Sequence, residues 1–218
     1  MIGIISKAKW HIRMKLRKVG NRILSSKRTK RLKTAQFTIL SNNCWAGHVY
    51  RYFGLPYQTP TVGLYFFAAD YVKFVADYKY YLQQPLEFIN AKESRYYDVL
   101  VKRNHENKPI GKLDDVEIVF LHYKDEQEAI EKWKRRVARI NWDNVLIKNS
   151  MQNYCTYELL KKYDKIPIKN KIVFVNKHMP EIESAICYKA AKRQNEVSED
   201  VLYFNRYINI TQWLNEGV

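Results

Sequence analysis

The hydrophobic positions of this chain follow two alternating patterns. Short apolar runs are typical of buried strands, and they lie at residues 37–40, 116–121, 144–147 and 171–175. Between them, apolar side chains recur every three or four residues, as on one helix face, at residues 45–53, 68–82, 126–140 and 157–163. This alternation predicts an α/β fold with one domain over residues 35–218. We expect a mainly parallel sheet with helices on both faces and the four apolar strands as neighbours.

Two weaker segments complete the predicted set of elements. Residues 96–101 and 184–188 are expected to form strands. Helix ends are better marked, because Gly54 closes the helix that begins near residue 45 and Pro85 stops the helix over residues 68–82. The sequence shows no internal repeat and no second domain.

Most of the positive charge lies in the N-terminal arm, residues 1–34. The arm holds 12 lysines and arginines and no acidic residue, while the whole chain has a formal net charge of +16. A basic amphipathic helix is expected over about residues 4–24, suited to an anionic membrane surface such as the inner face of the plasma membrane. A helix that packs on the domain, or is simply solvated, is the alternative. Nucleic acid is a poorer partner, because the remaining charge is nearly balanced and no recognised binding motif is present.

The cysteines and motifs narrow the chemistry. Cys44, Cys155 and Cys187 form neither a metal-binding spacing nor a disulfide framework, which favours a reducing, cytoplasmic setting. The sequence has no glycine-rich phosphate loop and no zinc spacing, so we expect no metal and no other cofactor. Seventeen tyrosines suit a polyhydroxylated ligand such as a saccharide, although tyrosine also fills cores.

Cys44 is the strongest candidate for chemistry. It ends the polar turn SNNC, residues 41–44, between a predicted strand and a predicted helix. Unpaired N–H groups and the helix dipole at such a position favour a thiolate and an adjacent oxyanion. A catalytic Cys44 would have a depressed pKa and share a partly open cleft with Asn43 and Trp45. A buried, structural cysteine is the alternative interpretation.

A thiol nucleophile needs an imidazole as its base. His122 is the preferred candidate because it follows the strand over residues 116–121, and ligands of open α/β sheets gather at the carboxyl ends of strands. His48 lies one helical turn after Cys44 on the same face, so it is the second candidate. A histidine bonded only to backbone is the alternative for either residue.

Further candidates lie on and after the predicted helix over residues 126–140. Arg135 and Arg136 can form an anion-binding pair for a nucleotide-sugar diphosphate or a lipid-linked phosphate. A solvated helix face is the alternative for this pair. Asn141 follows the helix and is a candidate for orienting or binding substrate.

Seven motifs in the domain invite comparison with a known family: SNNCWAG (41–47), PTVGL (60–64), DYVKF (70–74), PIGKLDDVEI (109–118), FLHY (120–123), KWKRRVARIN (132–141) and WLN (213–215). They resemble a bacterial family of exopolysaccharide and capsular-polysaccharide biosynthesis that carries a domain of unknown function. The resemblance covers residues 35–215 and implies a transferase of surface-polysaccharide assembly. Asp70, in the third motif, joins the substrate-binding candidates. In addition, the run from Cys44 to Ala46 is similar to the nucleophile region of papain-like cysteine peptidases, although Asn42 and Asn43 replace the preceding Cys-Gly-Ser pattern.

Three function hypotheses follow. The first is an acyl- or glycosyltransferase that acts on a saccharide precursor, either a nucleotide-sugar or a lipid-linked saccharide. The second is a papain-like cysteine hydrolase or acyltransferase that uses Cys44 and His122. The third is a non-catalytic saccharide-binding or assembly protein whose tyrosines and basic N-terminal arm hold a glycolipid at the membrane.

Overall fold

The computed structural model describes residues 4–217, with side chains described from Trp10 onward. Its helices are α1 (Ile4–Thr29), α2 (Trp45–Phe53), α3 (Ala68–Ala76), α4 (Tyr78–Gln83), α5 (Tyr97–Lys102), α6 (Glu126–Val137), α7 (Tyr157–Asp164), α8 (Asp200–Tyr207) and α9 (Ile210–Glu216). Its strands are β1 (Thr38–Ser41), β2 (Glu87–Ile89), β3 (Ile110–Leu113), β4 (Val116–Val119), β5 (Val145–Ser150), β6 (Lys171–Val175) and β7 (Ala185–Cys187).

The main sheet has four strands in the order β1-β5-β6-β7, and all of its pairings are parallel. Neighbouring residues of each strand point to opposite faces, because side chains alternate along a strand. On β1, Ile39 packs in the core beneath α2, α8 and α9, while Leu40 packs in the core beneath α3, α6 and α7. The predicted α/β class, the mainly parallel sheet and the helices on both faces are therefore confirmed.

The predicted strand over residues 116–121 does not join that sheet. It is β4, and it pairs antiparallel with β3 in a separate three-stranded sheet of order β2-β3-β4. A two-residue turn, Asp114-Asp115, places Leu113 opposite Val116, and Asp114 adopts a φ of +53°, a conformation that Asp tolerates well. The prediction that all four apolar strands are neighbours is wrong for this one, because the local hairpin takes its pairing partner.

Two further predictions of secondary structure need correction. The segment over residues 96–101 is helical (α5) rather than a strand, since Leu100 alone is fully buried while Val101 is exposed. The single helix predicted over residues 68–82 is two helices. Asp77 separates them because its carboxylate accepts a hydrogen bond from the Tyr80 N–H and so caps the start of α4.

The N-terminal helix α1 packs on the domain against α2 and α8. The Arg28 guanidinium stacks 3.7 Å from the ring centroid of Tyr52, and the Thr29 hydroxyl donates to the Phe53 carbonyl. The opposite side of α1 is apolar and faces outward, with four residues 57–71% exposed: Ile12, Leu16, Val19 and Ile23. We call these four residues the α1 stripe. Among the described residues, no helix is both long enough and apolar enough to cross a bilayer.

Candidate functional site

A cavity of about 760 Å³ opens at the carboxyl ends of β1 and β5, and we call it the Cys44 cavity. Asn43 and Cys44 enter it from the segment after β1, and His48 enters from α2. His122 comes from the segment after β4, and Arg136 comes from α6. The structure thus brings five of the predicted site residues together from four separate segments.

Cys44 lies at the N-cap of α2, but its thiol does not cap the helix. Sγ donates instead to the Leu64 carbonyl at 3.7 Å. Burial, and secondarily the negative charge of Asp200, raise the pKa of the Cys44 thiol to about 11. The prediction of a depressed pKa is therefore wrong for this structure, and the thiol is protonated at neutral pH.

The first turn of α2 explains why its N-terminus does little for the thiol. The Trp45 N–H donates to Asn43 Oδ1 at 3.0 Å, and the Ala46 N–H donates to Ser41 Oγ at 3.2 Å. These side chains satisfy donors that are otherwise left over at a helix start. Cys44 Sγ therefore receives no N–H group from this turn.

The two candidate imidazoles are neutral in this cavity. Burial, with help from the positive charges of Arg17 and Arg51, lowers the pKa of His48 to about 4. Burial also lowers the pKa of His122. Neither imidazole hydrogen-bonds to Cys44 Sγ among the described side chains. Cys44, His48 and His122 are thus all neutral in the cavity and do not form a thiolate–imidazolium pair.

His122 reaches the cavity by a route that differs from the prediction. Tyr65 and Val119 exchange two backbone hydrogen bonds of 2.9 Å, and the His122 N–H donates to the Gly63 carbonyl at 2.9 Å. Gly63 has a φ of +76°, and a Cβ there would lie 3.1 Å from the Tyr123 ring. His122 is therefore placed by the edge of the antiparallel sheet, not by the end of a parallel strand.

A buried ion pair, absent from the sequence predictions, supports the cavity. Lys148 on β5 pairs with Asp200 at the start of α8, and both side chains are fully buried. Asp200 Oδ2 also accepts from Asn43 Nδ2 at 2.9 Å and from Ser150 Oγ at 2.5 Å. Asp200 Oδ1 is buried with no hydrogen-bond partner among the described residues, although Asp200 lines the cavity. Unpartnered buried carboxylate oxygens are rare and call for an explanation.

Positive charge dominates the cavity wall. Arg51, Arg103, Arg136 and Lys132 all line it, whereas Asp200 of the ion pair is the sole acid among the described lining residues. No group of three or more His, Cys, Asp or Glu side chains within the described part of the chain is placed to hold a metal ion. The cavity is therefore suited to an anionic ligand.

Tyrosines hold the arginines of the wall in place. Arg136 Nη1 donates to the Tyr123 hydroxyl and to the Val62 carbonyl, the latter at 3.2 Å, and its guanidinium lies 5.4 Å from the ring centroid of Tyr57. Tyr57 also accepts a hydrogen bond of 2.6 Å from Arg51 Nε. Arg136 and Arg51 are thus oriented by these contacts before any ligand binds, which reduces the entropy lost on binding.

The comparison with known proteins supplies a family. A model described as a domain of unknown function (DUF1919) matches residues 15–215. The chain belongs to this family. It is also similar to an uncharacterized protein of Haemophilus influenzae, which is 32% identical over 170 residues, or 78% of this chain and 76% of that protein. The family match begins within α1 and includes both sheets.

Two predicted site residues of this DUF1919 domain are buried away from the cavity. The Trp45 side chain is fully buried in the core, edge-on to the rings of Phe204 and Trp213. Asp70, on α3, accepts from Arg95 Nη2 at 2.6 Å and from the Glu117 N–H at 3.2 Å. Trp45 therefore serves the core, and Asp70 ties α3 to β4.

Two other predicted site residues lie on the surface of the DUF1919 domain, outside the Cys44 cavity. Arg135 is exposed, because consecutive residues of a helix point in different directions and Arg136 occupies the inward position. The Asn141 side chain donates to the Gln36 carbonyl at 3.0 Å. Asn141 therefore lies at the amino end of β1, at the opposite end of the sheet from the cavity.

Among the site residues that the sequence analysis does not predict, one stands out in its local sequence and the others do not. Lys148 interrupts the apolar strand VLIKNS, residues 145–150, and a lysine in a buried strand is rare unless it is paired. In contrast, Arg103 and His105 lie in an ordinary polar loop, and Arg51 is a single basic residue within the helix α2. They reach the Cys44 cavity only through tertiary packing, so no local pattern could identify them.

Proposed function

We propose that this DUF1919 domain is an enzyme of bacterial surface-polysaccharide assembly that transfers an acyl or glycosyl group on an anionic saccharide precursor. The observation that carries the proposal is the Cys44 cavity, which combines cationic and aromatic walls at the carboxyl ends of two parallel strands. Ligand sites of α/β sheets gather at that edge. The polysaccharide context comes from the resemblance of the seven motifs.

The arginines of the wall supply the reason for an anionic precursor. Arg51, Arg103 and Arg136 present planar guanidinium groups, which match the oxygens of a phosphate or diphosphate. The negative charge of Asp200 is offset by Lys148, so it does little to repel such a ligand. Nucleotide-sugars and lipid-linked sugars both carry a phosphate beside the saccharide.

The tyrosines supply a surface for the sugar. Tyr57, Tyr65 and Tyr123 line the cavity, and Tyr65 OH lies 3.0 Å from His105 Nδ1 on the same wall. Tyrosine rings pack against apolar C–H groups while their hydroxyls form hydrogen bonds. The cavity therefore offers both kinds of contact that a sugar needs.

His122 is the proposed general base. A neutral imidazole can take the proton of an acceptor hydroxyl as that oxygen attacks the acyl or anomeric carbon of the donor. The new bond forms between the oxygen and this carbon, and the bond from the carbon to the leaving group breaks. Where the leaving group is a phosphate, the arginines of the wall stabilise its negative charge.

A covalent route through Cys44 is a second candidate, because the thiol lines the same cavity as both imidazoles. In that route His122 or His48 takes the thiol proton as Sγ attacks an acyl donor, forming a thioester and releasing the leaving group. Mass spectrometry after incubation with an acyl donor tests it. An adduct on Cys44, with transfer lost in Cys44→Ser, supports the covalent route, whereas transfer kept in Cys44→Ser excludes it.

The α1 helix favours a lipid-linked precursor at an anionic membrane. The α1 stripe covers about 60° of the helix surface at 100° per residue, and basic residues flank it on both sides. On the inner side of the same helix, Trp10 and Met14 line the Cys44 cavity. A helix that lies on the membrane would thus hold the cavity beside the lipid surface.

A matched pair of adjacent arginines tests the proposal. Binding of UDP-N-acetylglucosamine and of a short-chain polyprenyl-phosphate sugar is measured by titration calorimetry. Arg136→Met is expected to weaken binding about tenfold or more, because a hydrogen bond to a charged group is lost. Arg135→Met removes the same charge from the exposed side of α6 and is expected to have little effect. Equal losses in the two variants, or no binding by the wild type, would contradict the proposal.

Arg136 also holds Val62 and Tyr123, so its loss can disturb folding. Arg51→Met provides the second variant, because Arg51 is exposed at the cavity rim. Binding that is unchanged in a folded Arg51→Met protein and in a folded Arg136→Met protein contradicts the proposal. Binding without any transfer of the sugar would support a saccharide-binding protein instead of an enzyme.

A further inference from the structure

A second cavity, of about 340 Å³, lies between α1 and α8 and shares no lining residue with the Cys44 cavity. Four arginines line it: Arg13, Arg17, Arg28 and Arg206. The other described lining residues are neutral, with no aspartate or glutamate among them. Four like charges around one cavity repel each other unless an anion is present.

Arg17 is the most unusual member of this group. Its guanidinium lies 4.5 Å from the ring centroid of Phe204. Both Nη1 and Nη2 are buried, and neither has a hydrogen-bond partner among the described residues. Burial lowers the pKa of Arg17 to about 10. Buried charges are normally paired, so these unpartnered donors indicate a missing acceptor.

The other arginines are held by aromatic stacking. Arg28 lies over Tyr52 at 3.7 Å, while Arg206 and Arg13 lie 4.9 Å and 5.4 Å from the ring centroid of Tyr203. Arg28 Nη1 donates to Asn21 Oδ1 at 2.9 Å and to the Tyr52 carbonyl at 3.1 Å. The stacked guanidinium groups of Arg13 and Arg206 make no hydrogen bond to described residues, so their in-plane N–H donors remain for an oxyanion. The cavity is therefore organised for an anion before one binds.

We propose that the cavity between α1 and α8 is a binding site for a phosphate group, with Arg17 as its central ligand. Phosphate accepts several hydrogen bonds at once and carries the charge that four arginines require. The backbone also allows close approach, since a Cβ added at Gly20 on the cavity wall would find no atom within 4 Å. The volume accommodates a phosphate together with part of the group that it esterifies. This inference does not rest on the proposed function of the Cys44 cavity.

The phosphate has two possible sources, a lipid headgroup or a soluble phosphate ester, and two measurements distinguish them. Thermal unfolding of the full chain is followed in sodium phosphate and in sodium chloride of equal ionic strength. Binding to phosphatidylcholine vesicles is measured with added phosphatidic acid, a phosphate monoester, or with added phosphatidylglycerol, a diester.

Arg17→Met is compared with Lys18→Met, which removes the same charge from an exposed position of α1. We expect phosphate to raise the Tm of the wild type and of Lys18→Met by more than that of Arg17→Met, in which only the Cys44 cavity can still bind phosphate. A lipid source further predicts that Arg17→Met weakens binding to phosphatidic acid vesicles about tenfold more than Lys18→Met does. A Tm effect without that vesicle effect points to a soluble phosphate ester.

The Tm measurement also separates this phosphate site from the proposed function of the Cys44 cavity. Arg136→Met alters the Cys44 cavity and is expected to keep the Arg17-dependent rise in Tm. If Arg17→Met fails to fold, Arg206→Met tests the same cavity from an exposed position. Equal responses to phosphate and equal vesicle binding in the Arg17 (or Arg206) and Lys18 variants overturn the inference.

Discussion

Cys44 lies where a helix dipole favours a thiolate, yet burial governs its ionisation. At a pKa of about 11, only about one thiol in 10⁴ is ionised at pH 7. We therefore expect iodoacetamide to label Cys44 slowly at neutral pH, with a rate that rises about tenfold per pH unit until the pH nears 11. Peptide mass spectrometry on the Cys44 peptide measures this rate, and Cys44→Ala identifies the signal. Rapid labelling below pH 7 would show a depressed pKa and restore the thiolate mechanism.

His48 gives stability a pH dependence of definite sign. Its pKa is about 4 in the folded protein and about 6.5 when unfolded, so the unfolded state binds the proton more tightly. The free energy of unfolding should therefore fall as the pH drops from about 6.5 to about 4, by about 3 kcal/mol for this residue alone. Urea unfolding of wild type and of His48→Gln isolates this part. The exposed His11 provides the control, and a His11→Gln protein with the same change in slope would contradict the prediction.

The Lys148–Asp200 ion pair is expected to be compatible with a stable fold only while both charges are present. Lys148→Met or Asp200→Asn leaves a charge buried without its partner, which costs about 3–5 kcal/mol. The double variant is expected to lose less than the sum of the two single losses, because no unpaired charge remains. Urea unfolding of the three variants gives these values. Additive losses would mean that the two residues are energetically independent.

At the scale of elements, α1 reverses the usual arrangement of an amphipathic helix on a domain. Its packed side carries Arg17, Asn21 and Arg28, whereas the α1 stripe faces outward. The sequence predicts that this helix is amphipathic, and packing on the domain is one of the alternatives to membrane binding. Periodicity shows that a helix has two faces, but it does not say which face the domain covers.

The α1 stripe is expected to drive membrane binding. Leu16→Ser and Ile23→Ser together should weaken binding to vesicles of anionic phospholipid about tenfold for each residue, because apolar surface is lost from the lipid contact. The Tm should hardly change, since both side chains are exposed. Val101→Ser on α5 removes another exposed apolar side chain, outside the α1 stripe, and serves as the control. Unchanged binding in the α1 double variant would contradict membrane docking through the stripe.

The sequence predicts some strands and helices more accurately than others. β6 (Lys171–Val175) has the predicted bounds, because its continuous apolar run can pack on both faces of a sheet. α2 likewise ends at Phe53, directly before Gly54, whose φ of +68° is the conformation that a glycine allows at a helix end. The segment over residues 96–101 predicts a strand but forms the helix α5, because a short apolar run fits either element. Which of the two elements forms depends on the residues that pack against the run, here the cluster that contains Leu100, Tyr65 and Phe67.

At the scale of the whole molecule, the candidate site depends on contacts that cross the chain. The sequence places Cys44 after the first strand, and it selects two of the three histidines that line its cavity. It could not identify Arg51, Arg103 or the Lys148–Asp200 pair as neighbours, because these residues meet only when both sheets and α8 have assembled. The sequence therefore predicted the chemistry of individual residues better than the charge of the cavity they form.

Photoaffinity labelling tests most directly whether the Cys44 cavity binds an anionic saccharide precursor. A polyprenyl-phosphate sugar that carries a diazirine on the sugar is irradiated with the full-length protein, and the labelled peptides are mapped by mass spectrometry. We predict labels on the segments around Tyr65 and Tyr123, which excess unlabelled precursor removes and Arg136→Met reduces, whereas Arg135→Met does not. Labels that lie elsewhere on the protein, or that persist in excess unlabelled precursor, would contradict the assignment of this cavity.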